Sequence, residues 1–182
     1  QIPYADVVQA EQELIAEGLP QEEVIKLCDV HTAVLKGAIE QPGKELPSGH
    51  PAHTFRQENL ALTLKISELE KLYREITDGT VTGEGGPAAL RLQGLFNELM
   101  DVDKHYQRKE YLLFPFLEKN DITGPPKVMW GKHDEIRDQL KGCIEILRTE
   151  GLKKSDLLDA LELLFLPVLQ AVGDMTKKEE EI

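Results

Sequence analysis

The chain has 182 residues, 33 acidic and 21 basic, for a formal net charge of −12. This length suits one domain with a sizeable core, or one domain with a helical appendage. No basic stripe is present to neutralise a phosphate backbone, which argues against nucleic-acid binding, and the longest apolar run, LLFLPVLQAV (163–172), is shorter than the roughly 20 residues that cross a bilayer.

No signal peptide precedes the first helical stretch, and the two cysteines, Cys28 and Cys143, lie too far apart in such a chain to suggest a disulfide framework. A soluble cytoplasmic protein with reduced thiols fits this composition. The missing initial Met and the charged end KKEEEI, without a helix stop signal, read as a piece of a longer protein.

Turn signals at EGLP (17–20), QPGKELPSG (41–49), DGTVTGEGGP (78–87), NDITGPP (120–126) and TEGLKKS (149–155) divide the chain. Between them apolar residues recur at three and four positions, without strand-like alternation, so the chain is all-α. The first two helices, about 4–17 and 21–40, make a small N-terminal hairpin. On the second, Val24, Cys28, His31 and Leu35 share a face. Core packing is the simplest reading of that face; Cys28 and His31, with His50 beyond the linker, could alternatively build a second site for zinc or heme.

The helix expected over 51–77 starts well, with Pro51 in its first turn and His50 as N-cap. Its stripe runs Phe55, Leu62, Ile66, Leu69, Tyr73, Ile76, with Glu58 inside it and His53 to one side. The next helix, 87–119, has the stripe Leu92, Leu95, Leu99, Val102, Tyr106, Leu113, Phe114, with Glu110 within it and His105 at its margin. On 126–149 the inward face is Met129, His133, Ile136, Leu140, Leu147, which leaves Asp138 in solvent. The last helix, 155–182, carries Leu158, Phe165, Leu169 and Val172, with Glu180 near the edge of the stripe and a kink expected at Pro167.

Four long helices joined by short connections form an up-down four-helix bundle, whose facing side chains can build a metal site. The His-x4-acid spacing occurs three times, in HTFRQE (53–58), HYQRKE (105–110) and HDEIRD (133–138); MTKKEE (175–180) repeats it with Met in place of His. Residues five apart on an ideal α-helix are about 140° apart, so the stripes decide which member faces inward. The resulting inventory is Glu58, Glu110, His133 and Glu180, with His53 and His105 at the margins. Buried carboxylates are costly unless they protonate, pair or bind a cation. Mixed oxygen and imidazole donors suit iron or manganese, with zinc as the alternative.

HYQRKEYLLFPFLEK (105–119), followed by VMWGKHDEIRDQL (128–140), resembles the hemerythrin-like HHE cation-binding domain. HPAHTFRQEN (50–59), EQELIAEGLPQEEVIKLCDVH (11–31) and KKEEEI further resemble the subgroup that carries a DUF438 region ahead of it. The likeness covers nearly the whole chain. It implies a DUF438-like region over 1–48, a hemerythrin-like bundle over 49–182, and a non-heme iron pair that serves oxygen binding, iron or oxygen sensing, or protection against nitric oxide. It further implies a PAS sensor domain in longer relatives.

Three positions depart from that pattern: Met129 precedes His133 where a second histidine is expected, Lys109 stands four after His105 where a carboxylate is expected, and Met175 replaces a histidine. The reduced donor set argues against reversible oxygen transport and leaves a mononuclear or carboxylate-rich centre as an alternative to the iron pair. The leading expectation is a sensor or buffer of iron, oxygen or nitric oxide whose partners are a metal ion and a small diatomic ligand. The alternatives are an oxygen- or nitric-oxide-processing iron enzyme with Tyr106 as redox partner, and a heme sensor built on Cys28 and His31.

Overall fold

The computed structural model describes residues 4–20, 23, 47–80 and 85–181. Among these, helix α1 spans Tyr4–Ala16, and the first bundle helix, α2, spans Pro51–Thr77. The second bundle helix is assembled from α3 (Gly85–Leu99), α4 (Val102–Arg108), a π-helical turn π1 (Lys109–Leu113) and α5 (Phe114–Glu118). The third is α6 (Gly124–Leu147). The fourth runs through α7 (Lys154–Ala160), a second π turn π2 (Leu161–Phe165) and α8 (Leu166–Glu181). Cys28, His31 and the second helix of the expected N-terminal hairpin lie outside the described residues.

The helix ends follow local chemistry. His50 is the N-cap of α2, its Nδ1 accepting a hydrogen bond from the Ala52 amide at 3.2 Å, and Pro51 occupies the first turn, where an amide would go unused. Gly79 closes the other end at φ +73°, in the left-handed region that favours glycine. Both π turns directly precede a proline: the Phe114 amide reaches back to the Lys109 carbonyl ahead of Pro115, and the Leu166 amide to the Leu161 carbonyl ahead of Pro167. A proline has no amide to give the carbonyl four residues earlier, and a wide turn accommodates that loss. The discontinuity expected at Pro167 thus takes the form of a π turn.

The bundle is antiparallel throughout. Lys65 pairs with Glu98 while Glu75 pairs with Arg91, so the first two bundle helices run in opposite directions. Arg137 with Asp103 and His133 with Glu110 set the second against the third. Asn59 donates to the Thr176 carbonyl, and Gly173 lies beside Ile66, which sets the first against the fourth. The faces expected from the apolar stripes are the buried ones. Phe96 and Phe165, both fully buried, meet at 5.1 Å between ring centroids, and Tyr73 lies 6.4 Å beyond. Among the described residues no helix is long and apolar enough to cross a membrane.

Helix α1 packs against the start of α6. Ile15 and Leu19 cover Val128, and the Gln12 side-chain oxygen accepts from the Thr123 amide at 2.9 Å. A Cβ on Gly124 would come within 3.0 Å of the Gln12 side chain, so glycine there permits the close approach.

Phe165→Ala should destabilise the bundle by about 3–5 kcal/mol, because it empties a packed interior. Leu163→Ala, two residues away but 77% exposed, should stay within about 0.5 kcal/mol. Chemical denaturation of the two variants checks the pair; equal losses would refute this assignment of the core face.

Candidate metal centre

One end of the bundle core is polar. His105 and Glu110 are both buried, although they stand five apart, because π1 turns two successive residues, Lys109 and Glu110, toward the interior. His133 comes from α6 and is fully buried. Tyr106 stacks on its ring at 3.8 Å between centroids and 8° between planes, and Phe114 lies beyond at 6.0 Å. Phe55 meets His105 edge-on at 5.6 Å.

The carboxylates hold the imidazoles by one nitrogen each. His105 Nδ1 lies 2.6 Å from Glu58 Oε2, and His133 Nδ1 lies 2.8 Å from Glu110 Oε1. Both Nε2 atoms then face a third carboxylate, Glu179 of α8, at 2.9 Å from His105 and 3.7 Å from His133. A carboxylate that fixes the outer nitrogen of an imidazole while the inner one is left to a ligand is the usual surrounding of a metal-binding histidine. Four buried atoms at this place have no hydrogen-bond partner among the described residues: His133 Nε2, Glu179 Oε1, Arg108 Nε and the Tyr106 hydroxyl.

Basic side chains complete the cluster. Lys109 Nζ lies 2.5 Å from Glu179 Oε2 and 5.3 Å from the centroid of the Phe55 ring. Arg108 pairs with Glu58, and Arg137 donates to Glu110 at 2.8 Å, Asp103 at 2.6 Å and Asp134 at 2.7 Å. Burial alone would raise the Glu179 carboxyl, but the imidazoles of His105 and His133 and the charge of Lys109 outweigh it and hold the group well below the usual carboxylate range. Burial acts against Glu110 in the same way, and hydrogen bonds from His133 and Arg137 again leave it lowered. For Lys109 the balance falls the other way: burial lowers its pKa despite Glu179.

Two of the expected inward groups take different positions. Glu180 is exposed, and the carboxylate that enters the cluster is its neighbour Glu179. Seven residues after Val172 bring the helix back to within about 20° of the same face, whereas eight overshoot it by about 80°; no π turn intervenes after Phe165 to make a five-residue spacing work. Glu58 is only half-buried and binds His105 and Arg108. His53 is half-buried and joined to the cluster by no hydrogen bond among the described residues. His50 is an exposed helix cap. Asp138 is exposed beside Lys141, as its face requires. Met129 and Met175 are buried in the core.

Sequence reasoning missed Glu179, Arg108 and Arg137, and did not place Lys109 in the interior. The signals were present: Arg137 follows His133 by four, and Lys109 follows His105 by four, the spacing that shares a helix face. A groove of about 350 Å³, lined in part by Trp130, Tyr111 and Arg137, reaches Glu110 from the surface.

Among the described residues no three His, Cys, Asp or Glu side chains close on one point as an ion would require. The donor chemistry nevertheless fits a single cation. Donors that share an ion at about 2.0–2.2 Å lie roughly 3 to 3.5 Å from each other, and the two Nε2–Glu179 separations of 2.9 and 3.7 Å bracket that range. The ammonium of Lys109 and the imidazole of His105 both lie on Glu179 Oε2, while Oε1 has no hydrogen-bond partner among the described residues.

Comparison with known families places both parts of the chain. A family of unknown function, DUF438, matches residues 1–41, and the Hemerythrin HHE cation binding domain matches residues 50–182. No curated protein matches the chain. With most of its length in that second match, and with the helical bundle it folds into, the chain belongs to the hemerythrin HHE cation-binding family.

Proposed function

We propose that this bundle binds one divalent transition metal, iron by preference, at His105 Nε2, His133 Nε2 and Glu179, and that it senses or buffers iron, oxygen or nitric oxide. The observation that carries this reading is the convergence of two buried imidazole nitrogens on one buried carboxylate, each ring anchored from behind by Glu58 or Glu110. Two histidines and one carboxylate with open positions are a donor set that suits non-heme iron. When bound, the metal supplies open positions for a small diatomic ligand. The chain's own residues orient the imidazoles, exclude bulk water through Tyr106 and Phe114, and offer the Tyr106 hydroxyl, without a partner among the described residues, as a hydrogen-bond donor beside His133. A single ion replaces the iron pair expected from the family resemblance, because Glu58 and Glu110 are engaged with Arg108, Arg137 and the outer imidazole nitrogens. We assign the bundle to residues 49–182 and the preceding DUF438-like region to 1–48, a division supported by where the two family matches end and begin.

Elemental analysis of protein purified anaerobically without added metal tests the reading, with about one iron per chain expected. His133→Ala and Glu179→Ala should each strip the metal, roughly a tenfold to hundredfold loss of affinity is expected for Glu110→Ala as an orienting group, and Glu180→Ala should leave it unchanged. Metal loss on Glu180→Ala but not on Glu179→Ala would sink the assignment. Stopped-flow mixing of the reduced protein with oxygen separates a binding module from an enzyme, since only an enzyme keeps consuming it.

A second outcome concerns pH. Glu179 and Glu110 have folded-state pKa values below the ordinary 4.5, so the stability they contribute is complete above that value and is lost as pH falls through the lowered values. The metal-free protein should therefore lose stability steadily on acidification below about pH 5, and Glu179→Gln should flatten the slope in thermal melts. An unchanged slope would mean that Glu179 is not the group responsible.

A further inference from the structure

We propose that Lys109 is a tethered cation that competes with the metal for Glu179, so that uptake is an exchange in which the ion enters and the ammonium leaves. The inference rests on the reading of the centre given above and adds a regulator to it.

Three observations carry it. First, the Lys109 side chain is only 4% exposed, and its Nζ touches Glu179 Oε2, the same oxygen that His105 Nε2 approaches. A lysine is almost never buried unless it is paired, and this one stands at the donor a metal needs. Second, charge counting favours exchange over addition. Of the charged side chains in the cluster, those that are fully buried are Glu110 (2% exposed), Glu179 (1%) and Lys109 (4%), which leaves one negative charge when the imidazoles are neutral. A divalent ion added beside Lys109 would leave one positive charge in a buried cluster, whereas an ion that replaces Lys109 leaves none. Third, an exit is in place. Lys109 Nζ already lies over Phe55, a half-buried ring at the margin of the cluster, where a cation is favoured next to the aromatic face.

Exchange predicts changes of opposite sign in one variant. Lys109→Met removes the competitor, so cobalt(II), used as a spectroscopic probe, should bind more tightly by roughly tenfold, the ratio that 1.4 kcal/mol of lost competition corresponds to. The same change leaves Glu179 less compensated, so the metal-free protein should melt several degrees lower. A purely structural lysine would weaken both folding and binding. Lys109→Gln keeps a donor for Glu179 without the charge; it should move in the same direction and covers a Met variant too unstable to purify. Lys109→Arg retains the charge and should bind cobalt(II) no more tightly than the parent chain.

The measurement is cobalt(II) titration by absorption, paired with thermal melts of the metal-free proteins. Equal or weaker cobalt(II) binding by both neutral variants, with the parent chain binding normally, overturns the exchange and leaves the metal reading intact. No cobalt(II) or iron on any of the proteins overturns the metal reading and the exchange with it.

Discussion

Removing Glu179 from water is the demand around which one end of this bundle is arranged. A carboxylate with a 1%-exposed side chain is tolerable only when charge and hydrogen bonds replace its hydration. Here the replacements arrive from two other helices: His105 and Lys109 from the second and His133 from the third. Each brings a requirement of its own. The imidazoles need their outer nitrogens satisfied, which places Glu58 and Glu110; those carboxylates need counter-charges, which places Arg108 and Arg137. The cluster is thus a chain of obligations that passes from the core to the rim, with Asp103 and Asp134 on Arg137 as its last members.

The rest of the fold makes this arrangement affordable. Toward the other end the core is apolar, with Phe96, Phe165 and the leucines around them fully buried. That part supplies the stability, and its packing fixes the helix rotations that aim the polar groups. His133 illustrates the coupling: its ring stacks on Tyr106 and lies nearly parallel to Phe114, so hydrophobic contacts orient the imidazole in one plane while Glu110 fixes it in the other. The chain belongs to a cation-binding family, and the buried His and Glu cluster is where we propose that the cation sits.

Much of this was legible in the sequence, and the exceptions have a common origin. The four bundle helices, the His50 cap with Pro51 behind it, and the inward faces of α2 and α6 follow from the 3.6-residue period and from capping chemistry. His105 and Glu110 could be suspected of acting together only on the strength of a motif, since an α-helix would separate them. The π turn ahead of Pro115 reconciles them. The same motif misled at Glu180, where the helix is regular and the ordinary seven-residue return from Val172 leads to Glu179. The four-residue spacing puts Lys109 on the face of His105, but a lysine next to an arginine also reads as part of a solvated charge run. Nothing in the periodicity distinguishes a basic residue that binds a buried acid from one that binds water.

The π turns also bear on how this sequence tolerates change in length. A residue inserted into or deleted from an α-helix rotates everything beyond it by about 100°, which in a four-helix bundle would exchange core and surface along the remainder of the rod. A wide turn holds one residue more than an α turn needs, and here each is backed by a proline that marks where the register restarts. Removal of one residue within 109–113 would therefore let α4 continue into α5 in α-helical register, kinked at Pro115, with only one inward place where Lys109 and Glu110 now share two. Phe114 and the residues beyond it would keep their faces. Either the lysine or the glutamate would then turn to the surface, so one residue of backbone separates a centre with its own internal cation from one without it.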